Sequence, residues 1–187
     1  IETAGQAMGE SFGEAEYTRD EIKDIIKKAA LDFPEIRGVT ACYQPDAFNA
    51  DTRLFCPYYN KGNQSYVFVE DSYDYSIKGA GTAWYTGVIE NGAIWTSPYY
   101  GSAAGEWYVD YGVPFYYKSG PKKGQIRGII DFSLEVGDFK KRIHSISVGK
   151  TGYAFITAKN DTFITHPASD YVGTKSLDDL AKTETTP

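Results

Sequence analysis

The stretches that decide the fold of this chain read Trp84-Tyr85, Trp95-Thr96-Ser97-Pro98-Tyr99, Tyr111-Gly112-Val113-Pro114-Phe115-Tyr116 and Gly128-Ile129-Ile130-Asp131. Their aromatic rings supply rigid apolar walls, and their one carboxylate supplies a polar anchor. This combination predicts a site that binds a small molecule rather than one that carries out catalysis.

The composition around these stretches is that of a folded protein with many strands. Of its 187 residues, 42% are apolar and 24% charged, and 16 Tyr and 10 Phe stand against one Met, which favours an α+β fold with a strand-rich middle. A net charge of -6 without a basic cluster argues against nucleic acid as a partner. The sequence contains no apolar run long enough to cross a membrane. Because it begins at Ile1 and ends at Pro187, we expect a fragment of a longer protein.

The first regular element predicted is a helix that begins with a capping box, Thr18-Arg19-Asp20-Glu21, and ends at Pro34. Residues 1–16 are expected to form a frayed helix or a linker. Strand-like stretches then follow at 39–43, 53–59, 66–69, 93–95, 107–117 and 125–132, with a loop and a short helix over 73–92.

A second helix is predicted over residues 134–146, beginning at Ser133, with Leu134, Phe139, Ile143 and Ile146 on one face. A new pair of strands follows, 152–157 and 162–165, which indicates a second lobe. We therefore divide the chain into an N-terminal helix end or linker (1–17), a first lobe (18–135), and a linking helix with an incomplete second lobe (136–187).

The two cysteines, Cys42 and Cys56, lie in neighbouring strand-like stretches with a turn region between them. Antiparallel pairing would bring them into bonding range, and a disulfide closing so short a loop adds roughly 3 kcal/mol of stability. Two reduced, buried thiols are the alternative. Neither His144 nor His166 forms a ligand-spaced cluster with them, so we predict no metal and no cofactor. His166, before Pro167, is interpreted as a turn or packing residue.

Taken in order, these motifs resemble the double-Cache (PDC-type) sensory domains over most of the chain, from about residue 18 to residue 180. The resemblance implies a long N-terminal helix, a PAS-like antiparallel lobe distal to the membrane and a partial PAS-like lobe proximal to it. It also implies an extracytoplasmic sensor of a transmembrane receptor. The output module of such a receptor is a chemotaxis signalling domain, a histidine kinase, a serine phosphatase or a cyclic-dinucleotide enzyme.

In amino-acid-binding members of this family, the matching positions hold the ligand. The resemblance thus implies that Trp84, Tyr85, Tyr99 and Asp131 bind an amine or amino-acid-like metabolite, by cation–π contacts and a charge-assisted hydrogen bond. Two positions depart from the pattern, because Thr82 replaces the arginine that clamps a ligand carboxylate and Gly101 replaces an aspartate. We complete the predicted site with Tyr75, Thr82 and Lys78.

Several alternatives remain open at this point. A small carboxylate would bind if Asp131 points away and Lys78 faces the ligand. Alternatively, Asp131 caps the following helix beside Ser133. Tyr99 and Tyr100 compete for the role of ligand contact, and Trp95 is expected in the core. The rival classes are an enzyme with a glycosidase-like carboxylate pair and an adhesion or interaction domain. A homodimer through the N-terminal helix is a further expectation.

Overall fold

The chain folds into helices packed on an antiparallel sheet, followed by a smaller helix-and-hairpin region. The computed structural model describes residues 1–101 and 106–184, except for the side chains at positions 138, 139, 144, 183 and 184. The predicted roles of Phe139 and His144 therefore lie outside the described residues. The elements are α1 (Glu2–Glu14), α2 (Arg19–Asp32), β1 (Gly38–Tyr43), β2 (Pro57–Asn60), β3 (Ser65–Phe68), α3 (Ala83–Asn91), β4 (Ile94–Trp95), β5 (Tyr99–Gly101), β6 (Glu106–Tyr116), β7 (Ile126–Glu135), α4 (Val136–His144), β8 (Ile156–Thr157), β9 (Phe163–Thr165) and α5 (Leu177–Glu184).

These elements form two compact units, residues 1–95 with 110–134 and residues 96–109 with 135–187. The first unit contains α1, α2 and α3. The main sheet runs in the order β3-β2-β1-β7-β6-β4, and β5 pairs with the first part of β6 in the second unit. The predicted division into lobes at residues 135 and 136 stays a prediction.

Strand β1 lies between β2 and β7 and is antiparallel to both. Its register with β7 places Val39 opposite Phe132 and Thr40 opposite Asp131. Because side chains alternate along a strand, this register fixes which residues share each face of the sheet. Phe132 belongs to the face covered by helices, since its ring contacts Phe33 at the end of α2, at 6.4 Å between centroids. Asp131 therefore lies on the opposite face.

Helix α2 forms where the capping box predicts it. The Thr18 hydroxyl accepts a hydrogen bond from the Glu21 backbone, and the Glu21 carboxylate accepts one from the Thr18 backbone. The buried side of the helix carries Ile22, Ile26 and Ala30. It packs on β1 and β2, which anchors one half of the sheet.

Residues 1–16, expected to be a frayed helix or linker, form the ordered helix α1. Its buried glycines, Gly5, Gly9 and Gly13, recur every fourth residue and so share one face. A Cβ at Gly13 would lie 2.6 Å from the backbone oxygen of Tyr116, and one at Gly5 would lie 3.0 Å from the side chain of Val113. The missing side chains therefore let α1 approach β6 closely.

Gly13→Ala should destabilise the protein, because the new methyl group meets a backbone oxygen that cannot rotate away. Alanine favours a helix over glycine by roughly 0.5–1 kcal/mol. We nevertheless expect the free energy of unfolding, measured in urea, to fall by about 1–3 kcal/mol. Gly81→Ala is the control, since no atom lies within 4 Å of the added Cβ there. Unchanged stability of Gly13→Ala would show that α1 does not depend on this close approach.

Cys42 and Cys56 are joined by a disulfide, as the first of the two alternatives predicts. Cys42 lies in β1, and Cys56 comes directly before β2. Because the β1–β2 register places Thr40 opposite Tyr58, continuing it by two residues brings the cysteines face to face. Both cysteines are fully buried.

The second unit contains two antiparallel strand pairs and the helices α4 and α5. Tyr99 and Tyr100 of β5 pair with Tyr108 and Trp107 of β6, and β8 pairs with β9. His166 is buried, and its ring stacks on that of Tyr171 at 4.8 Å. Its Nδ1 accepts a hydrogen bond from the Ala168 backbone at 3.0 Å, so His166 has the turn and packing role that the sequence indicates.

Three details of the sequence interpretation are wrong. Trp95 is not a core residue, because 43% of it is exposed and its Nε1 donates to the Glu2 carboxylate at 2.8 Å. Strand β2 begins at Pro57 rather than at residue 53. The linking helix does not begin at Ser133, since β7 continues to Glu135 and α4 begins at Val136.

Candidate functional site

The candidate site lies in the first unit, on the face of the sheet opposite α1 and α2. Helix α3 covers this face at Gly112 of β6, where a Cβ would lie 2.3 Å from the Val88 side chain and 3.3 Å from Oδ1 of Asp131. Glycine at this position therefore lets α3 pack directly beside the Asp131 carboxyl group. The sequence motif that contains Gly112 predicts a strand, and the absence of a side chain there positions the helix.

Asp131 lies in the middle of β7 and only 2% of it is exposed. This position excludes the alternative that it caps the following helix, because α4 begins five residues later with Glu135 as its N-cap. Its carboxyl group hydrogen-bonds with Asp110 of β6 and with the Ser133 side chain. Oδ1 has no hydrogen-bond partner among the described residues.

The electrostatics of Asp131 follow from this burial. Removal from water raises the pKa of Asp131 well above its ordinary value, and the negative charge of Asp110 raises the pKa further. The Ser133 hydroxyl acts in the opposite direction. Across the described part of the chain, no Lys or Arg side chain forms an ion pair with Asp131, so its charge has no positive counterpart.

Trp84 and Tyr85 both lie on α3 and are almost fully buried. Trp84 Nε1 donates a hydrogen bond to the Tyr73 hydroxyl at 3.2 Å, and the Trp84 and Tyr85 rings meet edge to face at 5.9 Å. Burial raises the pKa of Tyr73, and the charges of Asp110 and Asp131 raise it further. Tyr73 thus connects the aromatic pair on α3 with the carboxyl groups of the sheet.

The Tyr85 hydroxyl is buried and has no hydrogen-bond partner among the described residues. Tyr75 packs beside it, with 4.9 Å between ring centroids. The Tyr75 hydroxyl donates to the Tyr43 backbone oxygen at 2.7 Å and accepts from the Phe55 backbone at 3.1 Å. Tyr75 therefore orients the ring of Tyr85, while its own polar atom is occupied by backbone.

Thr82 and Lys78 precede α3. The Thr82 hydroxyl donates to the Ile77 backbone oxygen at 2.7 Å and accepts from the Gly79 backbone at 2.9 Å, so it closes the loop before the helix. Lys78 is exposed and forms an ion pair with Glu90 at 2.6 Å. Both side chains hold the segment around α3 in place.

Tyr99 belongs to the second unit, where its ring lies 6.3 Å from that of Tyr108. Gly101, which stands where the family pattern has aspartate, is close to the same ring: a Cβ there would lie 2.8 Å from Tyr108. A larger residue at position 101 would have to displace that ring. Within the first unit, Trp84, Tyr85 and Tyr75 form a chain of ring contacts. Asp131 acts electrostatically on Tyr73, the hydrogen-bond partner of Trp84, and Tyr99 belongs to the second unit.

Sequence reasoning missed two residues of this region, Asp110 and Tyr73. Asp110 is completely buried in β6. The signal was available, because Asp110 is the one charged residue in the apolar and aromatic run 107–117. Tyr73 stands in a stretch read as loop, and no pattern distinguishes it from the other tyrosines nearby.

The fold and this buried site define a sensor domain, and comparison with known proteins identifies its family. The model of the first PDC sensor domain of methyl-accepting chemotaxis protein-like receptors matches residues 22–141, and the chain belongs to this family. It is a PDC/Cache-type extracytoplasmic sensor domain with the mixed helix and antiparallel-sheet fold that the resemblance implies. No curated protein sequence matches the chain.

Solved structures support this assignment. The extracellular domain of a protein described as a histidine kinase, mmHK1S-Z2, is 26% identical, with a TM-score of 0.73 over 95% of this chain and 70% of the other. The ligand-binding domain of the Pseudomonas aeruginosa chemoreceptor PctC is 14% identical, with a TM-score of 0.64 over 99% of this chain and 73% of the other. That of Pseudomonas fluorescens CtaA is 15% identical, with a TM-score of 0.65 over 99% and 70%. The last two similarities concern the fold alone.

Two further observations concern the described residues. None of their helices is both long enough and apolar enough to cross a bilayer. Their His, Cys, Asp and Glu side chains nowhere form a group of three that could hold a metal ion.

Asp131→Asn should make the stability of the ligand-free protein less dependent on pH. In the unfolded chain this carboxyl group has a pKa of about 3.9, whereas burial raises its pKa in the folded protein. Between these two values the folded protein holds more protons, so the free energy of unfolding falls as the pH rises. The variant should lose that part of the slope in urea unfolding above about pH 4.

Asp24→Asn, an identical change at an exposed position of α2, is the matched control and should keep the wild-type slope. An Asp131→Asn protein with the full wild-type slope would mean that the Asp131 carboxyl group is charged throughout this pH range.

Proposed function

We propose that the first unit binds a small amine or amino-acid-like metabolite, with Asp131 as the anchor of its ammonium group and Trp84 and Tyr85 as aromatic walls. The observation that carries the proposal is the buried Oδ1 of Asp131, which has no hydrogen-bond partner among the described residues. A buried polar atom of this kind is costly, and a ligand N–H group that satisfies it recovers that cost.

The surroundings of Asp131 favour a cation over an anion. The neighbouring polar groups are a second carboxyl group, the Ser133 hydroxyl and the Tyr73 hydroxyl, none of which carries positive charge. Aromatic rings attract an ammonium group through their negative faces, by about 0.5–2 kcal/mol each. A small carboxylate would instead need a cation, and the nearest one that we predicted, Lys78, is exposed and paired with Glu90.

The two departures from the amino-acid-binding pattern concern how the ligand carboxylate is held. An arginine donates two parallel hydrogen bonds to a carboxylate, and Thr82 cannot replace them because its hydroxyl already serves the loop before α3. An amine without an α-carboxylate suits these residues best. The PctC domain was solved in complex with GABA and the CtaA domain with L-serine, and both of these ligands carry an amino group.

Signal transmission would run through β6. On the face that carries the site, β6 presents Asp110 and Gly112, and on the other face Tyr111 and Val113 contact the glycines of α1. A ligand that favours one arrangement of β6 and α3 therefore also biases α1, by shifting the population between two conformations. Tyr99 stays a predicted ligand contact.

A thermal-shift screen against amines, amino acids and short carboxylic acids tests the proposal. At about 100 times its dissociation constant a ligand adds roughly 2.7 kcal/mol of stability, which for a protein of this size is a rise of roughly 5–10 °C. We expect the rise for amines, and its loss in Asp131→Asn because an amide cannot pair with an ammonium as a carboxylate does. Asp24→Asn is the control and should retain it.

A rise that survives in Asp131→Asn would remove Asp131 from the site. A rise with carboxylic acids alone would replace the amine with an anion and require a cationic group in the binding face.

A further inference from the structure

The second carboxyl group of the candidate site belongs to Asp110, the neighbour of Asp131. Asp110 and Asp131 lie on adjacent strands, are 0% and 2% exposed, and hydrogen-bond through their carboxyl groups. Two carboxylates have only acceptor atoms, so a hydrogen bond between them requires one proton. With that proton shared, the pair carries a single negative charge.

Groups from several elements face this pair. Tyr73 comes from the segment before α3 and is titratable, and its pKa is raised first by burial and then by the two aspartates. Val88 comes from α3 at Gly112, and Ser133 comes from β7. On β1, Thr40 stands opposite Asp131, and its hydroxyl donates to the Pro57 backbone oxygen at 2.7 Å. None of these groups is cationic.

We propose that the ammonium group of the ligand takes the place of the proton shared by Asp110 and Asp131, so that Asp110 is a second ligand-positioning residue. This inference rests on the proposed function. An ammonium group has three N–H donors. One can reach the open Oδ1 of Asp131, while another bridges the two carboxylates where the proton now lies.

The exchange conserves charge at a buried position. The bond between the shared proton and its carboxylate oxygen breaks, the proton passes to water, and the ammonium keeps all of its own protons. One positive charge leaves and one enters, so the pair with its occupant carries a single negative charge before and after binding. Binding thus does not require the fold to bury a different net charge.

The exchange also determines ligand chemistry. A primary amine can bridge the two carboxylates, whereas a quaternary ammonium has no N–H to donate. Each bound ligand releases one proton, so the affinity should rise about tenfold for each pH unit while the pair holds its proton. Asp110→Asn removes the shared proton because its amide can itself donate to Asp131.

Isothermal titration calorimetry of the whole chain tests this proposal with three amines, ethanolamine, 1,4-diaminobutane and L-serine. Choline, a quaternary ammonium, serves as the negative control. Titrations at one pH in two buffers with different enthalpies of ionisation give the number of protons released per ligand. We expect one released proton per ligand for the wild-type protein at neutral pH, weaker amine binding without proton release for Asp110→Asn, and no binding of choline. Circular dichroism verifies that the variant is folded. If the variant does not fold, the number of protons released by the wild-type protein still tests the proposal.

The outcomes separate the two proposals. Binding of an amine by the wild-type protein without proton release would overturn the exchange and leave the proposed function in place. Proton release that persists unchanged in a folded Asp110→Asn would also overturn it, because the proton would come from another group. Absence of binding by all three amines would overturn the proposed function and, with it, the exchange.

Discussion

Strand β6 packs against α1 on one face and against α3 on the other, and the packing of the rest of the first unit depends on both contacts. On one side, Val113 faces the glycines of α1, and a Cβ added at Gly5 would lie 3.0 Å from the Val113 side chain. On the other side, Gly112 leaves room for Val88 of α3. Both contacts rely on an absent side chain, one in the helix and one in the strand. The alternation of side chains along a strand lets a single element connect the face that carries Asp110 and Asp131 with the face that α1 covers.

The buried carboxyl pair is the costly part of this arrangement. Charged groups are rarely taken out of water unless they are paired, and in the described structure Asp131 finds a second acid and a hydroxyl rather than a base. Such groups raise their pKa and hold protons instead of remaining charged. Under the proposed function, the residue that costs stability in the ligand-free protein is the one that a cationic ligand would stabilise.

Local signals predicted the parts of the fold that local physics determines. The capping box places the start of α2, and hydrophobic runs identify the strands that become β1, β6 and β7. The pairing of Cys42 with Cys56 also follows, since the two strands are consecutive. The resemblance indicated the family and the importance of Trp84, Tyr85 and Asp131, whose part in ligand binding stays a prediction.

Non-local pairing explains what the sequence could not show. Asp131 looked like the end of a strand because Ser133 resembles a helix cap, but pairing with β1 extends β7 to Glu135. Trp95 looked like core, yet its strand has two residues and its indole reaches the Glu2 carboxylate. Asp110 became a site residue only when β6 was placed beside β7. The glycine repeat in α1 was readable, but its meaning depends on which strand the helix meets.

The disulfide has a mechanical consequence for a domain that must change shape. It ties Cys42 at the end of β1 to the residue before β2, so these two strands cannot slide past each other without breaking a covalent bond. With α2 packed on the same strands, that half of the sheet behaves as a fixed frame. In the other half of the sheet, β6 and α3 are in contact without a covalent link between them. If Asp131 binds a ligand as proposed, binding acts on the half of the sheet that the disulfide does not constrain.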